Sequence, residues 1–154
     1  MKIKINFPEK VIFEHHMKTR ICDLNYGAHV GHQILYEYCH NARMDFLNHQ
    51  EVNGIKLSEL NFGSKGLVMA SSAAQYLGEI FHPTSLVIDI AMENLNAFSF
   101  DLIYRVRKAK DNTESVSSQK PLSIVQTNMI CFDYEKRALA KMDEDILKHF
   151  EGLV

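Results

Sequence analysis

Positions 23 to 32 read Asp23-Leu24-Asn25-Tyr26-Gly27-Ala28-His29-Val30-Gly31-His32. A carboxylate, an amide, an imidazole and two glycines thus fall within one short segment. A carboxylate can serve as base or nucleophile, and an imidazole can take and return a proton near neutral pH. An amide can only orient. Gly27 and Gly31 let the backbone turn tightly and approach a ligand closely. If a helix begins at this point, the amides near Gly31, His32 and Gln33 have no intrahelical acceptor. With the helix dipole they would stabilise negative charge developing on an acyl oxygen. Asp23, Asn25 and His29 lie just upstream, where side chains could meet a carbonyl or a water. Structural roles compete with these: Asp23 as a turn cap or a partner of Arg43, His29 as a loop-filling residue, Asn25 as a turn former.

Two periodicities define the elements that must position this segment. From Val11 to Cys22 the chain alternates, with Val11, Phe13, His15, Met17, Thr19 and Ile21 on one face, as in a strand with one drier side. From His32 to Gln50 the period changes. Ile34, Leu35, Tyr38, Cys39, Ala42, Phe46 and Leu47 form a wide helical stripe that Tyr36 and Met44 broaden. So apolar a helix is expected to be largely buried, and Arg43 within it needs a partner. Period two returns in Leu67 to Phe81, Ser85 to Glu93, Phe98 to Val106 and Leu122 to Phe132. His82-Pro83-Thr84 reads as a turn, Lys108 to Pro121 as a mobile hairpin loop, and Lys141 to Phe150 as a short terminal helix. Short connections between the late strands imply antiparallel hairpins. One helix against one antiparallel sheet makes an α+β, two-layer domain.

Composition narrows the function. The chain has 154 residues, which fits one domain spanning positions 1–154. Hydrophobic residues make up 46% and charged residues 23%, an ordinary globular balance that argues against disorder. A formal net charge of -2 offers no basic field to collect phosphates, so nucleic acid is not an expected partner. No apolar run is long enough to span a bilayer, and the alternating N-terminus does not read as a secretory signal. The expected location is cytoplasmic. Cys22, Cys39 and Cys131 are too few and too widely spaced for a disulfide framework or a zinc site. No metal is expected. His29 and His32 with Asp23 could in principle bind one, whereas His15-His16 on a strand point to opposite faces and do not easily form a single chelate.

The segment Asp23 to His32, with Tyr36 and Ala42-Arg43-Met44-Asp45-Phe46-Leu47, resembles the hotdog-fold acyl-thioester hydrolases, closest to the 4-hydroxybenzoyl-CoA thioesterase-like group and the acyl-carrier-protein thioesterases. Gln75 to Ile80 and Asn96 to Phe100 extend the resemblance, which covers roughly Phe13 to Phe132. It implies a hotdog fold, an antiparallel sheet wrapped around one long central helix. It also implies a homodimer or homotetramer with sites at the subunit interface. The family's helix-start oxyanion amide carries over to Gly31 and His32, its first motif aspartate to Asp23 and its motif histidine to His29.

Two departures bear on the reaction. The family's second aspartate is Asn25 here, and its two asparagines after the valine are Gly31 and His32. Hydrolysis would then need Asp23 or His29 to activate water with Asn25 orienting it, or a residue of the partner subunit, for which Glu79 is the candidate because it is expected on a strand with small and polar neighbours. The leading expectation is hydrolysis of an acyl-CoA or acyl-carrier-protein thioester to a free acid and a thiol. No cofactor is implied beyond the coenzyme A or phosphopantetheine of the substrate. The rivals are a non-catalytic acyl-thioester-binding protein on the same scaffold and, less in keeping with the motif order, a hotdog dehydratase.

Overall fold

The computed structural model describes residues 3–57, 63–109 and 120–154. Its elements run β1 (Phe13–Lys18), α1 (His32–Asn48), β2 (Glu51–Val52), β3 (Ile55–Lys56), β4 (Lys65–Tyr76), β5 (Ser85–Glu93), β6 (Ser99–Lys108), β7 (Ser123–Asp133), β8 (Ala138–Leu139) and α2 (Glu144–Glu151). The main sheet is antiparallel with strand order β1-β5-β6-β7-β4, and β8 pairs with β7. The chain leaves one edge of the sheet at β1, crosses the concave face as α1, and re-enters at the opposite edge as β4. This is the hotdog arrangement, an α+β fold with a curled sheet around one long helix.

Period-two sequence decides which side chains face α1. Leu86, Ile88, Ile90 and Met92 of β5, Phe100, Leu102, Tyr104 and Val106 of β6, and Val125, Met129 and Cys131 of β7 share one buried cluster with the helix. From α1 that cluster takes Leu35, Tyr38, Cys39, Ala42, Phe46 and Leu47. Phe46 also meets Phe13 of β1, with ring centroids 5.8 Å apart. A second tie between β1 and α1 is polar: His15 Nδ1 lies 2.6 Å from Asp45 Oδ2.

The outer face of the sheet has its own small layer. Ile5 packs with Ile103 and Ile124, and the Arg105 guanidinium sits 4.3 Å above the Phe7 ring. Beside them Asp89 is fully buried yet satisfied: Arg105 Nε donates at 2.7 Å and Arg107 donates through Nε and Nη2, both at 2.8 Å.

Several expectations are corrected. Only Phe13–Lys18 of the first alternating run is strand, because Ile21–Asp23 tightens into a 3-10 turn. The long strand ends at Tyr76, not Phe81, so Glu79 lies in a loop. α1 is amphipathic and not buried all round: His32, Gln33, Glu37, His40 and Asn41 are exposed. Arg43 is half-buried beside them and donates to His40 Nδ1 at 2.9 Å; it does not pair with Asp23. The β2–β3 hairpin, closed by Asn53 and Gly54 with positive φ angles of 53° and 77°, has strands too short to leave a periodic signal. The expected loop from Lys108 to Pro121 falls largely on positions 110–119, outside the described residues.

Candidate active site

The loop between β1 and α1 is folded by its own backbone. Asn25 N–H donates to the His29 carbonyl at 2.9 Å, and Ala28 N–H donates to the Asn25 carbonyl at 3.0 Å. Ala28 takes a φ of 60°, a left-handed conformation that costs an alanine about 1 kcal/mol. The returning arm is pinned to the segment after β4, where Val30 N–H donates to the Ile80 carbonyl at 2.8 Å and His29 bridges Phe81.

Asp23 anchors this loop. It is only 1% exposed, and its carboxylate accepts from the Arg20 backbone N–H at 2.7 Å and from Arg20 Nε and Nη2 at 3.1 and 2.8 Å. It also accepts from the Tyr38 hydroxyl at 2.5 Å. Burial by itself would raise its pKa, but the donors from Tyr38 and Arg20 outweigh burial and hold the carboxyl below its ordinary range. In return, burial and the neighbouring Asp23 push the Tyr38 phenol well above its usual value. Asp23 therefore clamps the loop to α1 and does not reach the cavity.

Gly31 is committed as well. Its N–H donates to the Asp23 carbonyl at 3.0 Å, so of the two amides expected to receive an oxyanion only that of His32 is open. Gly31 is the N-cap of α1 and no side chain among the described residues caps this end, which leaves the His32 and Gln33 amides as the positive end of the helix.

His29 and Asn25 form one unit. Gly27 N–H can only donate, and it does so to Asn25 Oδ1 at 2.8 Å. Asn25 Nδ2 is then the atom facing His29 Nε2 at 3.2 Å, and it must donate. Nε2 is thereby an acceptor, and the proton of the neutral ring sits on Nδ1, which donates to the Gly27 carbonyl at 3.2 Å. Glu79 Oε1 lies 3.8 Å from that Nδ1 within the same chain, so no partner subunit is required to bring the two together. His29 is about one-third exposed and Glu79 about two-thirds.

Asn25, His29, Gly31, His32 and Glu79 border one cavity of about 400 Å³ beside the start of α1. Its apolar wall comes from Val30, Leu35, Ile80 and Tyr76, with Ser123 set into it. Five of the six expected site residues thus surround one space, and Asp23 holds them from behind. Tyr76 and Ser123 on the cavity, and Arg20 and Tyr38 as the donors to Asp23, carry no motif in the sequence. Tyr76 and Ser123 stand opposite one another at the ends of β4 and β7, a juxtaposition set by strand register and not by motif. Among the described residues, no group of three or more His, Cys, Asp and Glu is placed to hold a metal ion. No helix of the described residues is long and apolar enough to cross a membrane.

This fold and site define a class, and the family comparison agrees. The thioesterase-like superfamily model matches residues 19–150, and the chain belongs to that superfamily. No curated protein matches the sequence. Solved structures with the same fold include the PA2801 protein of Pseudomonas aeruginosa, 17% identical with a TM-score of 0.75 over 92% of this chain and 99% of that one. The 1,4-dihydroxy-2-naphthoyl-CoA thioesterase Slr0204 of Synechocystis is 16% identical, with a TM-score of 0.71 over 89% and 93%. The DHNA-CoA thioesterase of Staphylococcus aureus is 12% identical, with a TM-score of 0.75 over 91% and 89%.

Proposed function

We propose that this protein hydrolyses acyl thioesters carried on coenzyme A or an acyl-carrier protein. The observation that carries the reading is the meeting, on one mostly apolar cavity, of an acceptor Nε2 on His29 and the unfilled amide end of α1 at His32. A thioester carbonyl at the helix start is polarised by the His32 and Gln33 amides. Water attacks the carbonyl carbon and displaces the Asn25 Nδ2–H from the Nε2 lone pair, and His29 Nε2 takes its proton. The imidazolium is steadied through Nδ1 by the Gly27 carbonyl and Glu79. Collapse of the tetrahedral intermediate expels the thiolate, which recovers the proton from His29, giving a free acid and a thiol.

The resemblance and the long edge strand β4, with exposed Met69 to Ser72, support assembly at least as a dimer. Three free cysteines suit a reducing compartment such as the cytoplasm. The second reading, an acyl-thioester binder without turnover, is favoured by Asn25 at the place of the family's acid. Chromogenic thiol release over short, long and aromatic acyl-CoAs decides between them. Turnover that His29→Ala abolishes supports hydrolysis, and saturable binding without turnover supports the binder. Neither turnover nor binding removes the thioester assignment.

A further inference from the structure

Ser123 is 2% exposed and begins β7 on the face turned toward α1. That face is set by register: Ser123 alternates with the inward residues Val125, Thr127 and Met129, and it pairs with Tyr76 of β4 and Val106 of β6. Four residues along the same face, Thr127 is equally buried, and its hydroxyl meets the Tyr104 hydroxyl at 3.2 Å. The Ser123 hydroxyl has no such partner among the described residues. It lines the same cavity as His29 and His32, in a wall otherwise made of Leu35, Val30, Ile80 and Tyr76.

A buried hydroxyl without a partner is unfavourable unless something that enters the cavity bonds to it. One polar group in an apolar wall is also how small-molecule sites fix orientation. Resting on the acyl-thioester reading, we propose that Ser123 is a specificity residue that hydrogen-bonds a hydroxyl or oxo substituent on the acyl group. The loop and the helix start hold the thioester end, and the acyl group lies along the wall formed by the ends of β4 and β7. A serine hydroxyl can donate or accept, so it serves either substituent. An unsubstituted acyl group leaves it without a partner.

The test uses matched acyl-CoA pairs that differ by one hydroxyl, benzoyl against 3- and 4-hydroxybenzoyl and decanoyl against 3-hydroxydecanoyl, with wild type, Ser123→Ala and Ser123→Thr. Wild type should favour the hydroxylated member of at least one pair by about tenfold in kcat/KM, the scale of one hydrogen bond made in a dry site. Ser123→Ala should slow only that member and bring the preference below about threefold, with no fall in melting temperature. Ser123→Thr should keep the preference. If wild type turns over no thioester, the same pairs are compared by calorimetric binding. A hydroxyl preference in Kd that Ser123→Ala removes would uphold this assignment while hydrolysis fails. No preference in any pair, or a preference that survives Ser123→Ala, overturns it.

Discussion

Asn25 Nδ2 faces His29 Nε2 at 3.2 Å while the other end of the same amide is taken by Gly27 N–H. The contact fixes which ring nitrogen of His29 carries the lone pair. In the proposed hydrolysis Asn25 is therefore a positioning residue, and His29 is the group that would move the proton. His29→Ala should lower kcat by about 10²-fold or more, the usual contribution of a positioned acid–base group. Asn25→Ala should lower it less, by about tenfold, since the imidazole remains but its tautomer is no longer held. Steady-state kinetics of both variants on one acyl-CoA checks the order; equal or reversed losses would return the base to another residue.

Gly27 is required by the ring it supports. A Cβ there would stand 2.8 Å from His29 Cε1, 3.0 Å from Nδ1 and 3.2 Å from Asn25 Oδ1. Gly27→Ala should displace both side chains and lower kcat by about 10- to 100-fold, with little change in melting temperature because the loop is at the surface. Gly31→Ala is the matched control. The atoms nearest its Cβ would be those at the end of the Gln33 side chain, from 2.7 Å, which can swing away. The cost there is a poorer N-cap, about 0.5–1 kcal/mol of stability, with His29 undisturbed. Activity and thermal melts of the two variants should therefore diverge in opposite ways.

The fold was legible because its two periods are strong. The α1 stripe and the alternation in β5, β6 and β7 each bury the faces their spacing marks. The grouping of the candidate residues was legible too, since a glycine-bounded turn before a helix brings its polar residues to the helix start. The roles were less so. Asp23 read as a free acid or a partner of Arg43, but burial drew Arg20 and Tyr38 onto it instead, one from three residues away and one from the first turns of α1. Glu79 read as a strand residue, yet β4 ends at Tyr76 and the loop beyond carries Glu79 to His29. Long-range pairings such as Tyr76 with Ser123 depend on register, including the shift between Met69 and Ser71, which alternation alone does not encode.

Asp23 should make stability depend on pH in the acid range. Its folded-state pKa is depressed, so the stabilisation is fully present above the unfolded carboxyl value, about 3.9, and is lost as pH falls through the lower folded value. Asp23→Asn removes a buried, charge-assisted set of hydrogen bonds and should cost about 2 kcal/mol at pH 7. Urea unfolding at pH 7 and again near pH 3 checks the sign: the gap between wild type and Asp23→Asn should narrow at the lower pH. Tyr38→Phe should reproduce part of the loss at pH 7. A gap that stays constant across this range would mean that Asp23 stabilises the loop by shape and not by its charge.

The substitution that best separates an enzyme from a binder is Asn25→Asp. The change places a carboxylate 3.2 Å from His29 Nε2, where an amide hydrogen stood. If His29 is the base of a working hydrolase, the new charge favours the imidazolium and removes the lone pair that takes the proton from water. Turnover at neutral pH should fall, and the rising limb of the pH–rate profile should move to higher pH. If the protein is a binder without a competent base, the carboxylate stands beside a preformed oxyanion site at the start of α1. Hydrolysis should then rise from near zero by a factor within the range of about 10²–10⁴ typical of general-base assistance. The two outcomes have opposite sign in the same assay. A wild type that turns over and an Asn25→Asp variant that slows with a shifted profile would place the proton transfer on His29, while a gain of activity in the variant would overturn that assignment.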